Sequence, residues 1–334
     1  MDINSRNERI ESNPVLFRVQ PSNKESFSPK KIYIVGSGVI ENSYRPIVKT
    51  INENPLVQTP RDGIFNLDNN QVIHWLANYL FAFKAARDQF LRETYSGNHK
   101  SITFYSGLIN GFYEIRESLG GNYINTQKNS EIKLRSEFKK LFDGIDWTNS
   151  ALVTTNWDEV IWSDFSYKNV IQLHGRSSFP ESMIFPTEFS LDESIIGLTR
   201  DSFSPTQIQK SLEYFLQNGK SKKDFLDVFQ RTIRSTSTEL AVRNSHGLFL
   251  EWLGNAEEIV FCGIALNIYD SEVNSFITAR QNAVPFKTVK NYNTDPKTRQ
   301  IIASMTYKKA EEIEQCPDSI LAKILVKLKQ MFLN

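Results

Sequence analysis

The sequence predicts an α/β fold, a Rossmann-like parallel sheet with helices on both faces and a helical insertion or subdomain. Three observations carry that prediction. Short runs of four or five mostly apolar residues recur with long helical stretches between them. The runs are apolar at nearly every position instead of alternating, the pattern of strands covered on both faces. The four strongest runs also end on residues suited to chemistry: KIYIV on Gly-Ser-Gly, ALVTT on Asn-Trp-Asp, VIQL on His-Gly and EIVFC on Gly.

Residues 1–30 are polar and carry Pro14, Pro21 and Pro29, so they read as an N-terminal arm, with one α/β domain from 31 to 334. Lys31 to Val35 is the first strand, short and rich in Ile and Val. From about Asn70 to Thr94 apolar residues fall at helical spacing with no Gly or Pro, which predicts a helix. Further helices are expected near 102–118 and 130–143. Ala151 to Thr155 and Val170 to Leu173 are the second and third strands. Residues 179–240 are mixed and helical, broken by SFPESMIFP and SFSP, so they read as an insertion that, with 70–143, covers or lids a cleft. Glu258 to Cys262 is a fourth strand, 285–291 a fifth, and Asp318 to Phe332 a closing amphipathic helix.

Composition removes several classes of function. With 39 Lys and Arg against 38 Asp and Glu, the formal charge is +1, which offers no field for nucleic acid. Direct sequence-specific nucleic-acid binding is therefore not expected. Two cysteines, Cys262 and Cys316, make neither a disulfide framework nor a four-thiolate zinc site. The first residues hold no apolar run of signal-peptide length, and nowhere do about 18 apolar residues follow one another. A cytoplasmic protein without a membrane span is expected.

In sheets of this kind ligands bind beyond the carboxyl ends of the strands. Gly36-Ser37-Gly38 lets backbone approach a pyrophosphate, or else is a tight turn. His174, followed by Gly175, is a titratable group at a strand end, or else a core histidine held by backbone. Asn156 suits a water or a ribose hydroxyl, or else closes an Asx-turn; Asp158 suits catalysis, or else caps the next helix. Trp157 and Trp162 are core residues or a stacking surface for adenine.

These pieces, in this order, resemble the sirtuin-like NAD-binding domains. The match runs over residues 31–292: Gly36-Ser37-Gly38, Thr154-Thr155-Asn156-Trp157-Asp158, His174-Gly175 and Gly263-Ile264-Ala265, of which TTNWD and LHG are the most specific. The late stretch FCGIALNIYDSEV is similar to the G-x-x-x-x-x-x-D-x-E ending of sirtuin-like proteins in bacterial defence, with Asp270 and Glu272 in the acidic places. Family deacetylases carry a four-cysteine zinc module, which two cysteines do not make, so no zinc and no deacetylation are expected. Ile40 and Ala265 stand where the family commonly has serine.

The resemblance implies a nucleotide cleft in which Gly36, Ser37 and Gly38 cradle the pyrophosphate and Thr155 and Asp270 complete the cofactor contacts. Asn156 and Asp158 would lie about the nicotinamide ribose, His174 would act there as base, and Gly263 would lie near the adenosine ribose. It implies NAD as substrate: hydrolysis to nicotinamide and ADP-ribose by an effector of anti-phage, abortive-infection defence. A homo-oligomer is implied, with a separate partner such as a HerA-type ATPase or an Argonaute-like protein. Two alternatives stay open: a non-catalytic sensor or scaffold subunit binding NAD or ADP-ribose, and, more remotely, a nuclease subunit built on Asp270 and Glu272.

Overall fold

In the central strand, alternate side chains enter two different cores. Tyr33 and Val35 of β1 (Lys31–Val35) pack on one face with Ile47, Phe90, Phe112 and Ile115, while Ile32 and Ile34 pack on the other with Phe249, Trp252, Val273 and Ile302. Two covered faces require an apolar run, and the period of two divides it between them. The computed structural model describes residues 27–53, 69–96, 101–165, 168–185, 204–232, 236–266, 270–293 and 295–315. Residues 1–26 of the expected arm, the expected helix at 318–332 and positions 186–203 of the expected insertion lie outside the described residues.

The predicted α/β class holds. In chain order the strands are β1, β2 (Ile40–Glu41), β3 (Lys133–Leu134), β4 (Ser150–Thr154), β5 (Val170–Gln172), β6 (Glu258–Cys262), β7 (Thr288–Tyr292) and β8 (Glu314–Gln315). Six of them form one sheet in the order β5-β4-β1-β6-β7-β8, and every pairing in it is parallel. The chain moves outward from β1 to β4 and β5, then crosses back to β6 on the far side of β1. That reversal places the switch point of the strand order at β1, where such sheets leave a crevice beyond their carboxyl ends.

One face is covered by α1 (Arg45–Glu53), α2 (Asn69–Ser96) and α3 (Ile102–Lys128); α4 (Ser136–Asp143) and α5 (Val160–Phe165) add Phe142, Ile161 and Phe165 to the same core. The other is covered by α8 (Thr236–Asn255), α9 (Ser271–Ala283) and α10 (Pro296–Thr306). The expected helix at 70–94 is α2. The helix expected at 102–118 runs ten residues further, through Gly120 and Gly121 to Lys128. Tertiary contacts override the glycines there: Asn122 donates to Thr50 Oγ1, and the Tyr123 hydroxyl donates to the Ser43 carbonyl.

The helix expected at 130–143 is shorter, because its first residues become a strap. Lys133–Leu134 pairs antiparallel with Ile40–Glu41, and the Arg135 amide donates to the Val39 carbonyl. Arg45 at the start of α1 closes the same strap by an ion pair to Glu131 at 3.0 Å.

Within the insertion, α6 (Pro205–Gln217) and α7 (Lys222–Thr232) join the core of the α2 and α3 face. Phe225 is wholly buried, with its ring centroid 5.4 Å from Phe215, 5.7 Å from Phe229 and 6.3 Å from Phe90 of α2. The Tyr113 hydroxyl of α3 donates to the Arg231 carbonyl at 2.6 Å, tying α7 to the main body. The described part of the insertion is thus continuous with the domain core. Phe225→Ala is expected to destabilise the whole domain by about 3–5 kcal/mol, the range for large-to-small changes in a packed core. Denaturant unfolding followed by two probes tests this, and coincident, equally shifted transitions are the expected outcome.

Candidate functional site

Register puts four strand ends at one rim. Val35 lies opposite both Thr154 and Cys262, and Thr154 lies opposite Gln172, so Gly36, Thr155, Leu173 and Gly263 leave the sheet at the same level. The sequence elements singled out above are therefore neighbours in space although separated by more than two hundred residues.

The glycine loop packs backbone to backbone against the loop after β6. The Gly38 amide donates to the Gly263 carbonyl at 2.7 Å, and the Gly36 amide to the Cys262 carbonyl at 3.0 Å. A Cβ on Gly36 would lie 2.7 Å from Ile264 Cα, and one on Gly263, at φ +55°, 2.5 Å from the Val39 amide nitrogen. No larger residue fits this contact, so the glycines are required whether or not a ligand binds. The chain then makes a 3-10 turn at Ser37–Val39 and enters β2, so no α-helix N-terminus follows the loop directly. Since the Gly36 and Gly38 amides are committed, the polar groups this loop presents are those of Ser37, whose hydroxyl donates to the Tyr44 hydroxyl at 3.1 Å. Burial raises the Tyr44 phenol above its ordinary value, the Ser37 hydrogen bond opposes that, and the charge of Asp270 adds to it. Asp270 thereby belongs to the same rim, at the residue before α9.

The Thr154-to-Asp158 turn answers to the same loop. The Thr155 amide donates to the Val35 carbonyl at 3.1 Å, and the Asn156 amide to Thr154 Oγ1 at 3.1 Å. Asn156 is 5% exposed, and its Nδ2 donates to the Gly36 carbonyl at 3.3 Å. Because that contact needs a donor, the side-chain amide has one orientation, and its Oδ1 is left buried without a hydrogen-bond partner. A buried acceptor in that condition costs about 1–3 kcal/mol. Two more buried oxygens share it, Gln172 Oε1 and Ser177 Oγ.

Asp158 follows the capping alternative. Its Oδ1 accepts from the Val160 amide at 3.1 Å at the start of α5, and the side chain is 3% exposed. Burial pushes its carboxyl up to about 6, against the Val160 hydrogen bond, and its charge in turn helps hold the buried Tyr123 phenol well above the ordinary range. Trp157 follows the core alternative: its Nε1 donates to the Ile184 carbonyl at 3.0 Å and its ring meets Phe185 and Tyr123.

His174 stands two residues past β5. Its carbonyl accepts from the Ile184 amide at 2.9 Å, so Ile184 links the His174 turn to Trp157. Its Nε2 meets Glu272 Oε1 across the rim, and both side chains are nearly buried, at 11% and 13% exposed. Burial pushes the Glu272 carboxyl up, but the hydrogen bond and charge of His174 outweigh it, and the group lies below its usual value. Gly175, at φ +73°, faces the Ser182 carbonyl so closely that a Cβ would sit 2.0 Å away; its own loop requires the glycine.

The structure thus gathers Gly36, Ser37, Gly38, Thr155, Asn156, Gly263, His174 and Asp270 at the rim, and turns Asp158 inward beside them. Gln172, which sequence reasoning passed over, and Glu272, which it named only as an acidic position of the late motif, complete the arrangement. Gln172 Nε2 donates to the carbonyls of Asp158 at 3.0 Å and Asn156 at 3.4 Å, clamping the turn; a lone polar residue in the buried run VIQL was the available signal. Glu272, two residues after Asp270, faces His174. Arg45, the one arginine near the glycine loop in sequence, pairs with Glu131 in the strap. A separate hollow of about 400 Å³ opens at the amino ends of the strands, where Lys30, Lys31, Glu257, Glu258 and Lys287 pair with one another.

Among the described residues no group of three or more His, Cys, Asp or Glu side chains is placed to hold a metal ion, and no helix is long and apolar enough to cross a membrane. Comparisons with protein-family models, curated proteins and solved structures find no match.

Asp158 generates a pH dependence. Its folded value of about 6 lies above its ordinary 3.8, so the folded chain holds the proton more tightly and stability falls as pH rises through that window. Two units correspond to about 3 kcal/mol. Relative to Asp158→Asn, which keeps the cap through its side-chain oxygen, the wild-type denaturant midpoint is expected to fall between about pH 4 and 6 and to run level with the variant's above that.

Proposed function

We propose that this chain is an NAD glycohydrolase, releasing nicotinamide and ADP-ribose from NAD, and that it serves as an effector of bacterial anti-phage defence. The observation that carries this reading is Asn156: an amide fixed by the Gly36 carbonyl whose Oδ1 is a buried acceptor without a partner, at the rim where His174 also stands. A ribose hydroxyl or the attacking water is the donor that such an acceptor suits. The sirtuin-like order of GSG, TTNWD and HG supports the substrate class.

In this reading the C–N bond from C1′ of the ribose to nicotinamide breaks with its electron pair leaving on nicotinamide. Water forms the new C1′–O bond, and its proton passes to His174. Asn156 holds the ribose or water, and the surrounding dipoles stabilise the oxocarbenium-like charge. Asp158 acts at one remove, by shaping the turn that carries Asn156. The defence role rests on the resemblance, as does a separate partner, a HerA-type ATPase or Argonaute-like protein, that releases the activity. Phe104 at 63% exposed and Leu108 at 38%, one turn apart on α3, support assembly with that partner or a second copy.

A second reading, a sensor that binds NAD or ADP-ribose without chemistry, is favoured by one observation: the Gly36 and Gly38 amides are already bonded to Cys262 and Gly263. Nicotinamide release from NAD by the purified chain, over a range of protein concentrations, separates the two. Asn156→Ala and His174→Ala are each expected to lower the rate about 100-fold or more, the usual contribution of a positioned acid–base or dipolar group. If both variants hydrolyse NAD as fast as the wild type, the hydrolase assignment is wrong. Calorimetric binding of NAD with no turnover at any concentration is the outcome the sensor requires.

A further inference from the structure

Three elements distant in sequence converge on Glu272. His174 comes from the carboxyl end of β5, Glu272 from the first turn of α9, and His246 from α8, where its ring stands edge-on to Phe276 of α9 at 6.1 Å. His174, Glu272 and His246 are all nearly buried. The charge of His246 acts on the Glu272 carboxyl in the same sense as His174 does, favouring the ionised form. The other charged groups nearby are Asp270, which acts on Tyr44, and Arg176, on the His174 loop, whose guanidinium lies 4.6 Å from the Phe179 ring centroid and 5.7 Å from that of Trp162.

From this geometry we infer that Glu272 is the positioning residue for His174: it accepts a hydrogen bond from Nε2–H, fixes the ring's tautomer and orientation, and directs Nδ1 as the proton-accepting nitrogen. The physical reason is that a carboxylate accepts only. With Glu272 ionised, neutral His174 carries its hydrogen on Nε2, and the lone pair is confined to Nδ1. When Nδ1 takes a proton, the positive ring forms against an existing negative charge in a poorly solvated place, which stabilises it more than water would. The charge of His246 on α8 also favours the ionised form of the buried carboxylate.

The inference rests on the hydrolase reading for its consequence in turnover, but the pair itself can be tested without substrate. The chain has four histidines, so selectively ¹⁵N-histidine-labelled protein gives few enough ring signals to assign with His174→Asn and His246→Asn. In the wild type, His174 is expected to show the Nε2–H tautomer. Glu272→Gln, which keeps the shape, is expected to lower its titration midpoint by about one unit or more, the effect of losing an opposite charge in contact. Glu272→Asp is expected to restore part of that shift. In the NAD assay, Glu272→Gln should lower kcat about tenfold or more with little change in KM, and move the rising limb of the pH profile in step with the NMR midpoint.

An unchanged tautomer and midpoint in a folded Glu272→Gln protein overturns the positioning role, whatever the enzyme does. Midpoints that move as expected while neither wild type nor variant turns over NAD would establish the pair independently of the hydrolase reading. If Glu272→Gln fails to fold, the comparison passes to Glu272→Asp, whose shorter side chain must shift the midpoint for the inference to survive.

Discussion

The rim depends on one contact of backbone with backbone. Gly36 to Gly38 lies against Gly263 and Ile264 closely enough that amides and carbonyls bond directly and no Cβ is admitted at Gly36, Gly38 or Gly263. That contact fixes where the ends of β1 and β6 stand, and the carbonyls it leaves are taken by distant side chains. The Gly36 carbonyl receives Asn156, and the Gly38 carbonyl receives Arg135 at 3.0 Å. Parallel register does the rest, by bringing β4 and β5 to the same level. The positions of Asn156 and His174 are therefore consequences of sheet geometry, whereas a site built on loops alone would have to hold itself together.

Polar groups buried around the rim cost free energy unless they are paired. Most at the rim are matched: Gln172 gives both of its N–H groups to the Asn156–Asp158 turn, and Ile184 spends its amide on His174 and its carbonyl on Trp157. Against so ordered a background, the unmatched oxygens of Asn156, Gln172 and Ser177 stand out. Folded proteins pair the large majority of such atoms, and the exceptions gather where a ligand or ordered water belongs. His174 is the converse case, since its Nε2 is matched by a carboxylate and thereby acquires a definite proton arrangement.

The sheet was legible in the sequence because strands buried on two faces leave a strong mark. KIYIV and EIVFC are β1 and β6 to the residue, the strand expected at 151–155 lies one residue later than β4, and that expected at 170–173 is one residue longer than β5. The 102–118 helix ended too early because local propensity gave Gly120 and Gly121 their usual weight, while Asn122 and Tyr123 are held by α1 and the residues before it. The 130–143 helix started too early because a two-residue strand has no periodicity to detect. At the site, motif spacing located Asn156 and His174 but could not supply a partner ninety-eight residues away, so Glu272 passed as one of two acidic positions. Nor could spacing tell that the glycine amides are bonded to the neighbouring loop, since that is a property of strand order.

The small strap of β2 and β3 ties these observations to the helical half of the molecule. Through Ile40 and Leu134, Arg135 and Gly38, and Arg45 and Glu131, the turn that ends α3 is bolted to the glycine loop by contacts only a few residues long. It is a short mechanical link between the far end of a 27-residue helix and the lip of the cleft. Because this pair of strands is separate from the main sheet, a displacement of the end of α3 has a route to the lip that does not pass through the six-stranded sheet.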